Sequence, residues 1–398
     1  MIPSPYRRLL AIRALRVPLV GETIGRLPIA GVSLATILLV RGETGSFAIA
    51  GLVEAAVAVA GAIARPAQGR LIDRVGQTRV LATAAVANPI SLIALVLAAR
   101  AGAAPIVLAA IGAACGATVP ALAPCMRMLW STLIDEVSLR QSAFALDAAL
   151  LEVAFIVGPL GTAALVALGS PGTAVVANAA FAAVGTLVFA LSQASRAWRG
   201  EPRGTGRAGP LRSPGVVALV VVELALGVAI GAMEISLTAL ATGFGAPAFA
   251  GVLISVQGAA SMVGGLWYGS KDHTSTAADR YTRLFAVLVL GFAALLLASS
   301  KLNAIPLVAL SGFAFAPTGA VLWALIDDVA PPGTGTEAAT WMNSAIIGGL
   351  AAGNAVGGLL VAGDHPHRGL AAALAAVAVA AAVAYRLRPL LRPASQPT

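Results

Sequence analysis

The sequence has little charge. Of 398 residues, 26 are basic and 17 acidic, so 11% are charged, against about 25% in a typical soluble domain. That shortage excludes a soluble enzyme, a disordered chain and a large catalytic domain outside a membrane. Cysteine and histidine are scarce as well. Two cysteines, Cys115 and Cys125, and three histidines leave no zinc-ligand spacing. The cysteines share one apolar stretch and stand about 15 Å apart if helical, beyond the roughly 7 Å that a disulfide tolerates. No Gly-x-x-x-x-Gly-Lys loop is present, which argues against transport driven by nucleotide bound to this chain. Aromatics make up 5%, a poor supply for a sugar-stacking site. The nearest approach to a catalytic group is Asp327-Asp328, with no histidine beside it. Neither enzymatic activity nor a cofactor or metal is expected.

What is abundant is apolar. Hydrophobic residues make up 59%, and mean hydropathy is +0.90. A spanning helix takes about 20 such residues. Apolar runs between charged or Gly/Pro breaks predict twelve spans, over residues 17–40, 47–65, 80–99, 105–126, 142–168, 173–192, 215–240, 247–269, 284–300, 304–326, 338–362 and 369–385. The chain therefore reads as an all-α membrane protein. Its first apolar run holds Glu22 and Arg26. A cleaved signal has a shorter, uncharged core, so this run reads as a retained first span.

An even number of spans puts both ends on one side. Twenty-one of the 26 basic residues fall on that side, many of them in the 2–3 loop and the 6–7 linker. Arg41, Arg100, Lys301 and Arg368 fall on the other. The bias predicts cytoplasmic termini, in the plasma membrane. It also accounts for a pI near 10.7 without a nucleic-acid partner.

Residues 193–214 form a Gly/Pro/Arg-rich linker that divides a six-span half, 1–192, from a second, 215–398. The halves repeat. Ala123-Pro124, Leu129-Trp130 and Asp135 match Ala316-Pro317, Leu322-Trp323 and Asp328 at a constant offset of 193. A parallel six-plus-six repeat is an established transporter plan.

Charge inside lipid is costly, so ionisable residues there face the bundle or a wet cavity. Spans 3, 6, 9 and 12 carry none and are expected to form the lipid-facing layer. Glu22 and Arg26 are spaced i, i+4 and can pair. With Glu152 and Glu223, they are the candidates for proton coupling. The competing readings are a permanent ion pair and neutral acids hydrogen-bonded across helices. Asp147, Glu54 and Glu234 rank below them. Gln257, Trp341, Asn343 and Asn354 are candidates for substrate binding, with interhelical hydrogen bonds as the alternative for the amides. Trp130, Trp267 and Trp323 lie near span ends, where tryptophan anchors to the interface.

Between spans 2 and 3 the chain reads Gly69-Arg70-Leu71-Ile72-Asp73-Arg74-Val75-Gly76-Gln77-Thr78-Arg79-Val80-Leu81. Gly69 permits close helix packing and Gly76 a turn with positive φ. The stretch resembles the 2–3 loop signature of the major facilitator superfamily, G-x-L-x-D-R-x-G-R-K-x-x-L. It departs at Gln77 and Thr78, where that pattern has a basic pair. The resemblance implies that Asp73 and Arg74 latch the two halves, so Gly69, Asp73, Arg74 and Gly76 are gating candidates. In span 5, Gly158-Pro159-Leu160-Gly161 resembles part of a motif found in exporters of that family, with Ala154, Thr162 and Ala163 in place of glycines. Gly158 and Pro159 join the gating candidates; a plain proline kink is the alternative. The arginine that many members carry in span 4 is absent from Gly112-Ala113-Ala114-Cys115-Gly116. The resemblance implies a monomeric secondary transporter of a small molecule, working by alternating access in a lipid bilayer. Proton-coupled efflux of a hydrophobic or amphipathic compound is the first expectation. Import of a sugar or other metabolite is the second, and a membrane sensor or enzyme a distant third.

Overall fold

The computed structural model describes residues 4–199, 210–269, 271, 274–331, 335–362 and 365–391. Contacts divide the chain into two compact units, Met1–Gly45 with Val59–Arg203, and Ser46–Ala58 with Gly204–Thr398.

The first unit contains α1 (Ser4–Ala11), α2 (Arg13–Arg26), α3 (Gly31–Thr44) and most of α4 (Phe47–Val75). It continues with α5 (Gln77–Arg100), α6 (Pro105–Ala117), α7 (Leu122–Leu133), α8 (Val137–Leu168), α9 (Pro171–Ala190) and the short α10 (Gln193–Ala197). The second unit takes the start of α4, then α11 (Pro214–Gly243), α12 (Phe249–Gly269), α13 (Ala277–Leu295), α14 (Lys301–Gly312), α15 (Phe315–Val329), α16 (Gly335–Val361) and α17 (Pro366–Arg386). Among the described residues, 11 segments are long and apolar enough to cross a membrane. The expected ninth span falls on α13, which carries Asp279, Arg280 and Arg283 in its first two turns and is not one of the 11.

Several expected single spans are two helices each. Span 1 breaks at residues 27–30, between α2 and α3, where Pro28 lacks an amide proton. Span 4 breaks at residues 118–121, between α6 and α7, where Pro120 disfavours helix at Val119. Span 10 breaks at Phe313-Ala314, between α14 and α15. There the ring of Pro317 opposes the carbonyl of Phe313, four residues back.

The breaks in spans 4 and 10 fall at equivalent places in the repeat, and both are closed from a neighbouring helix. Gln68 Nε2 of α4 donates to the carbonyls of Ala117 and Val119 at 2.9 and 3.0 Å. Ser261 Oγ of α12 accepts from the amide of Ala316 at 3.1 Å. Gln68 and Ser261 are themselves 193 residues apart. The offset first read from Ala-Pro and Leu-Trp pairs thus recurs in the side chains that repair the helices.

Close packing relies on glycine. In the second unit, Gly227 and Gly231 of α11 abut Gly349, Leu350 and Asn354 of α16, and Gly353 and Gly357 abut Val228 and Ala232. In the first, Gly185 of α9 abuts Gly21 and Gly25 of α2. Small residues let helix backbones approach where lipid offers no hydrophobic drive. Along α5, Val86, Ile90, Ile93 and Leu97 are exposed at helical spacing. In a multi-pass membrane protein such a stripe suits acyl chains.

Candidate functional site

Inside the first unit lies a buried cluster of charge. Glu22 and Arg26 share the last two turns of α2, with relative exposures of 1% and 9%. Arg26 Nη1 donates to Glu22 Oε1 at 2.8 Å. The same nitrogen donates to Asp147 Oδ1 of α8 at 2.5 Å. Asp147 is 3% exposed. Its other oxygen accepts from Nε and Nη2 of Arg127, on α7, both at 3.3 Å. Arg127 is the outer member, with its side chain 53% exposed. Glu22 Oε2 is buried and has no hydrogen-bond partner among the described residues.

Two carboxylates thus face one enclosed guanidinium, with a second guanidinium at the wet edge. Desolvating charge costs several kcal/mol per ion (order of magnitude), and a buried pair seldom stabilises on net. An orphaned carboxylate oxygen adds to that cost.

Helix α8 touches span 1 a second time. Gly158 packs against the backbone of Leu27 and the amide of Gly31, at the break between α2 and α3. Asp147 and Gly158 are 11 residues apart, about three helical turns, and so share a face. The sequence treated the Glu22–Arg26 pair and the Gly158-Pro159 motif as separate signals. In the structure one face of α8 joins them at the bend of span 1. Thr162, standing where the exporter pattern has glycine, accepts from Asn178 Nδ2 of α9 at 2.9 Å.

In the second unit the counterpart acid is Glu223 on α11, 3% exposed. Its partner is neutral: the hydroxyl of Tyr281 on α13 donates to Glu223 Oε1 at 2.7 Å. The side chain of Glu152 lies outside the described residues, as does that of Asp73. Gly76 ends α4 with φ 90°, as its place in the loop predicts. Gly69 does not pack closely: no described atom lies within 4 Å of where its Cβ would stand. Arg74 is exposed. Pro159 lies buried inside α8.

The candidate binding residues separate. Asn354 is 1% exposed, wedged between Gly231 of α11 and Gly51 of α4. Gln257 is half-buried, and its amide approaches Met233 Sδ at 3.2 Å. Trp341 and Asn343 are exposed on α16. Trp130 corrects an expectation: it is a core residue, fully buried, because α7 continues past residue 126 and turns that face inward. Trp267 and Trp323 are more than half exposed, at 52% and 57%.

Asp147, ranked below the coupling candidates in sequence, and Arg127 complete the cluster. Asp147 meets Arg26 only through packing, since the two stand 121 residues apart in sequence. Helix α7 runs on to Leu133, so Arg127, one residue past the expected end of span 4, is helical. The legible clue was the 11-residue spacing from Asp147 to Gly158.

The Major Facilitator Superfamily profile matches residues 27–352. The chain belongs to the major facilitator superfamily. It is therefore a multi-pass transporter in a family that carries small molecules. Solved transporters share the fold, at identities that speak to fold alone. A bacterial homologue of the iron transporter ferroportin, in an inward-facing state, aligns with TM-score 0.76 and 13% identity, over 95% of this chain and 99% of that one. The nucleoside transporter NupG gives 0.64 and 13%, over 94% and 99%. A bacterial homologue of the human lysosomal transporter Spinster, inward-facing and occupied, gives 0.69 and 14%, over 99% and 100%. No curated protein sequence matches.

Proposed function

We propose that this superfamily member is a proton-coupled exporter of a small hydrophobic or amphipathic molecule. It acts as a monomer in the plasma membrane, with both termini cytoplasmic, by alternating access. The observation that carries the reading is the Glu22–Arg26–Asp147 cluster at the bend of span 1, with one buried carboxylate oxygen of Glu22 unpartnered among the described residues. The enclosed part holds one more carboxylate than guanidinium. A proton on Glu22 removes that surplus and leaves Arg26 to Asp147. When the proton departs, Glu22 competes for Arg26, and the hold of α2 on α8 loosens. Gly158 keeps the backbones in contact at Leu27 and serves as the pivot. Protonation is thereby converted into a change in how span 5 sits on span 1.

The exporter-like Gly158-Pro159 stretch supports the outward direction. Transported cargo differs among relatives of this fold, so the substrate class rests on the sparse aromatics and the apolar spans. The test uses purified protein in liposomes with an imposed pH gradient and a panel of apolar compounds. Substrate should drive proton movement, and Glu22→Gln and Asp147→Asn should each abolish it. If both variants keep wild-type pH dependence, the coupling assignment is wrong. Accumulation in expressing cells tests direction separately: higher internal substrate than in control cells would overturn export and leave coupling intact.

A further inference from the structure

The turn between α4 and α5 forms, together with α10, an open cavity of about 570 Å³. Four arginines line it: Arg74 and Arg79 from either side of the turn, Arg196 and Arg199 from α10 and the residues after it. None of the four has a carboxylate partner among the described residues, and no described acid lines the cavity. Arg199 Nη1 is held by the carbonyls of Arg196 at 2.8 Å and Trp198 at 3.0 Å. That fixes its fork and leaves its remaining donors for a ligand.

The rest of the lining is also donor-rich. Gly76 turns the chain at φ 90°, and the first residues of the 24-residue α5 line the cavity. The first amides of a helix have no intrahelical acceptor and attract anions. The hydroxyls of Thr78 and Ser195 stand 3.4 Å apart at the wall. Gln77 is fully buried, and its Nε2 donates to the carbonyl of Cys125 on α7 at 3.2 Å, which anchors the start of α5. Where the superfamily loop pattern has a basic pair, this chain has Gln77 and Thr78. Arg196 and Arg199 bring the positive charge back to the same spot from α10.

We propose that this cavity binds a phosphate ester. Arginine forks, helix amides and hydroxyls are the donor set that phosphate oxygens take. Four cations exceed what a single carboxylate would balance, whereas a phosphate ester brings more charge and more oxygens. The ester arises either from the headgroup of an anionic lipid or from a free phosphorylated metabolite. Bound there, it would staple the α4–α5 turn to α10.

The experiment uses the full chain in detergent micelles, with short-chain phosphatidylglycerol, short-chain phosphatidylcholine and glycerol 3-phosphate as probes. Phosphatidylglycerol or glycerol phosphate should bind well above phosphatidylcholine. Binding of the lipid alone marks a headgroup site; competition by glycerol phosphate marks a free-ester site. Combined R79Q, R196Q and R199Q should weaken binding by about tenfold or more, and R7Q, R13Q and R386Q, exposed arginines elsewhere, by less than about twofold. A second variant guards against misfolding. Thr78→Asp favours the start of α5 while placing an acid in the cavity, and should also abolish binding. The proposal fails if both arginine sets weaken binding equally, or if Thr78→Asp binds as the wild type does.

Discussion

Span 1 is broken where its counterpart, span 7, is one continuous helix. In the first unit, α2 and α3 meet at a four-residue break, and α8 reaches it with a charge at Asp147 and a glycine at Gly158. In the second, α11 is continuous over Pro214–Gly243 and lies against α16 on Gly227, Gly231, Gly349 and Gly353. The buried acids differ in the same sense. Glu22 shares a cation with a second carboxylate, whereas Glu223 accepts from a phenol. The shared plan thus carries a buried charge cluster in one unit and a neutral hydrogen bond in the other. Glycine brings backbones together in both units, at Gly21, Gly25, Gly158 and Gly185 in the first, so the charge is what sets them apart.

The largest expected effect comes from removing the shared cation. Arg26→Met leaves Glu22 and Asp147 buried without it and should cost about 3–5 kcal/mol, read as a large fall in Tm of the detergent-solubilised protein. An unchanged Tm would mean that both carboxyls are already neutral and that the exchange described above has no basis. Next comes the pivot. Gly158→Ala drives a methyl into the backbone of Leu27 and should cost about 1–3 kcal/mol. Gly161→Ala, in the same motif, meets no described atom and should gain up to about 1 kcal/mol from helix propensity. Similar outcomes for the two would place the glycine requirement in the kink rather than in the contact. In the second unit the stakes are lower. Glu223→Gln keeps an acceptor for Tyr281 and should cost only about 0.5–1.5 kcal/mol, with the pH profile of transport unmoved. A lost pH response there would put coupling in both units. Smallest of all is the exposed pair between Arg8 and Glu136 at 2.5 Å, where Arg8→Gln should leave Tm unchanged.

Much of this was legible before any coordinates. Hydropathy located 11 of the twelve expected spans, and the i, i+4 spacing located Glu22 with Arg26, because both depend on neighbours along one helix. The 2–3 loop declared the family through residues that stay close in sequence. Asp147 was harder, since its cation lies 121 residues away and only the packing of α8 on α2 brings them together. Trp130 misled for a related reason. Its repeat partner Trp323 is exposed, and the same Leu-Trp pair says nothing about which face each helix turns inward. The prolines at 28, 120 and 317 were visible, but whether a proline kinks a span or splits it depends on who can catch the freed backbone groups.

Gln68 and Ser261 bear on that last point. Each supplies from outside a rung that its neighbour's ladder is missing. A helix patched this way is not an independent rod. Flexing at the gap pulls on the donor or acceptor across the interface, so strain leaves sideways into α4 or α12 instead of running down its own axis. Two different side chains do this at matching positions, so the duplicated halves share the open joint and differ in the chemistry of its fastening.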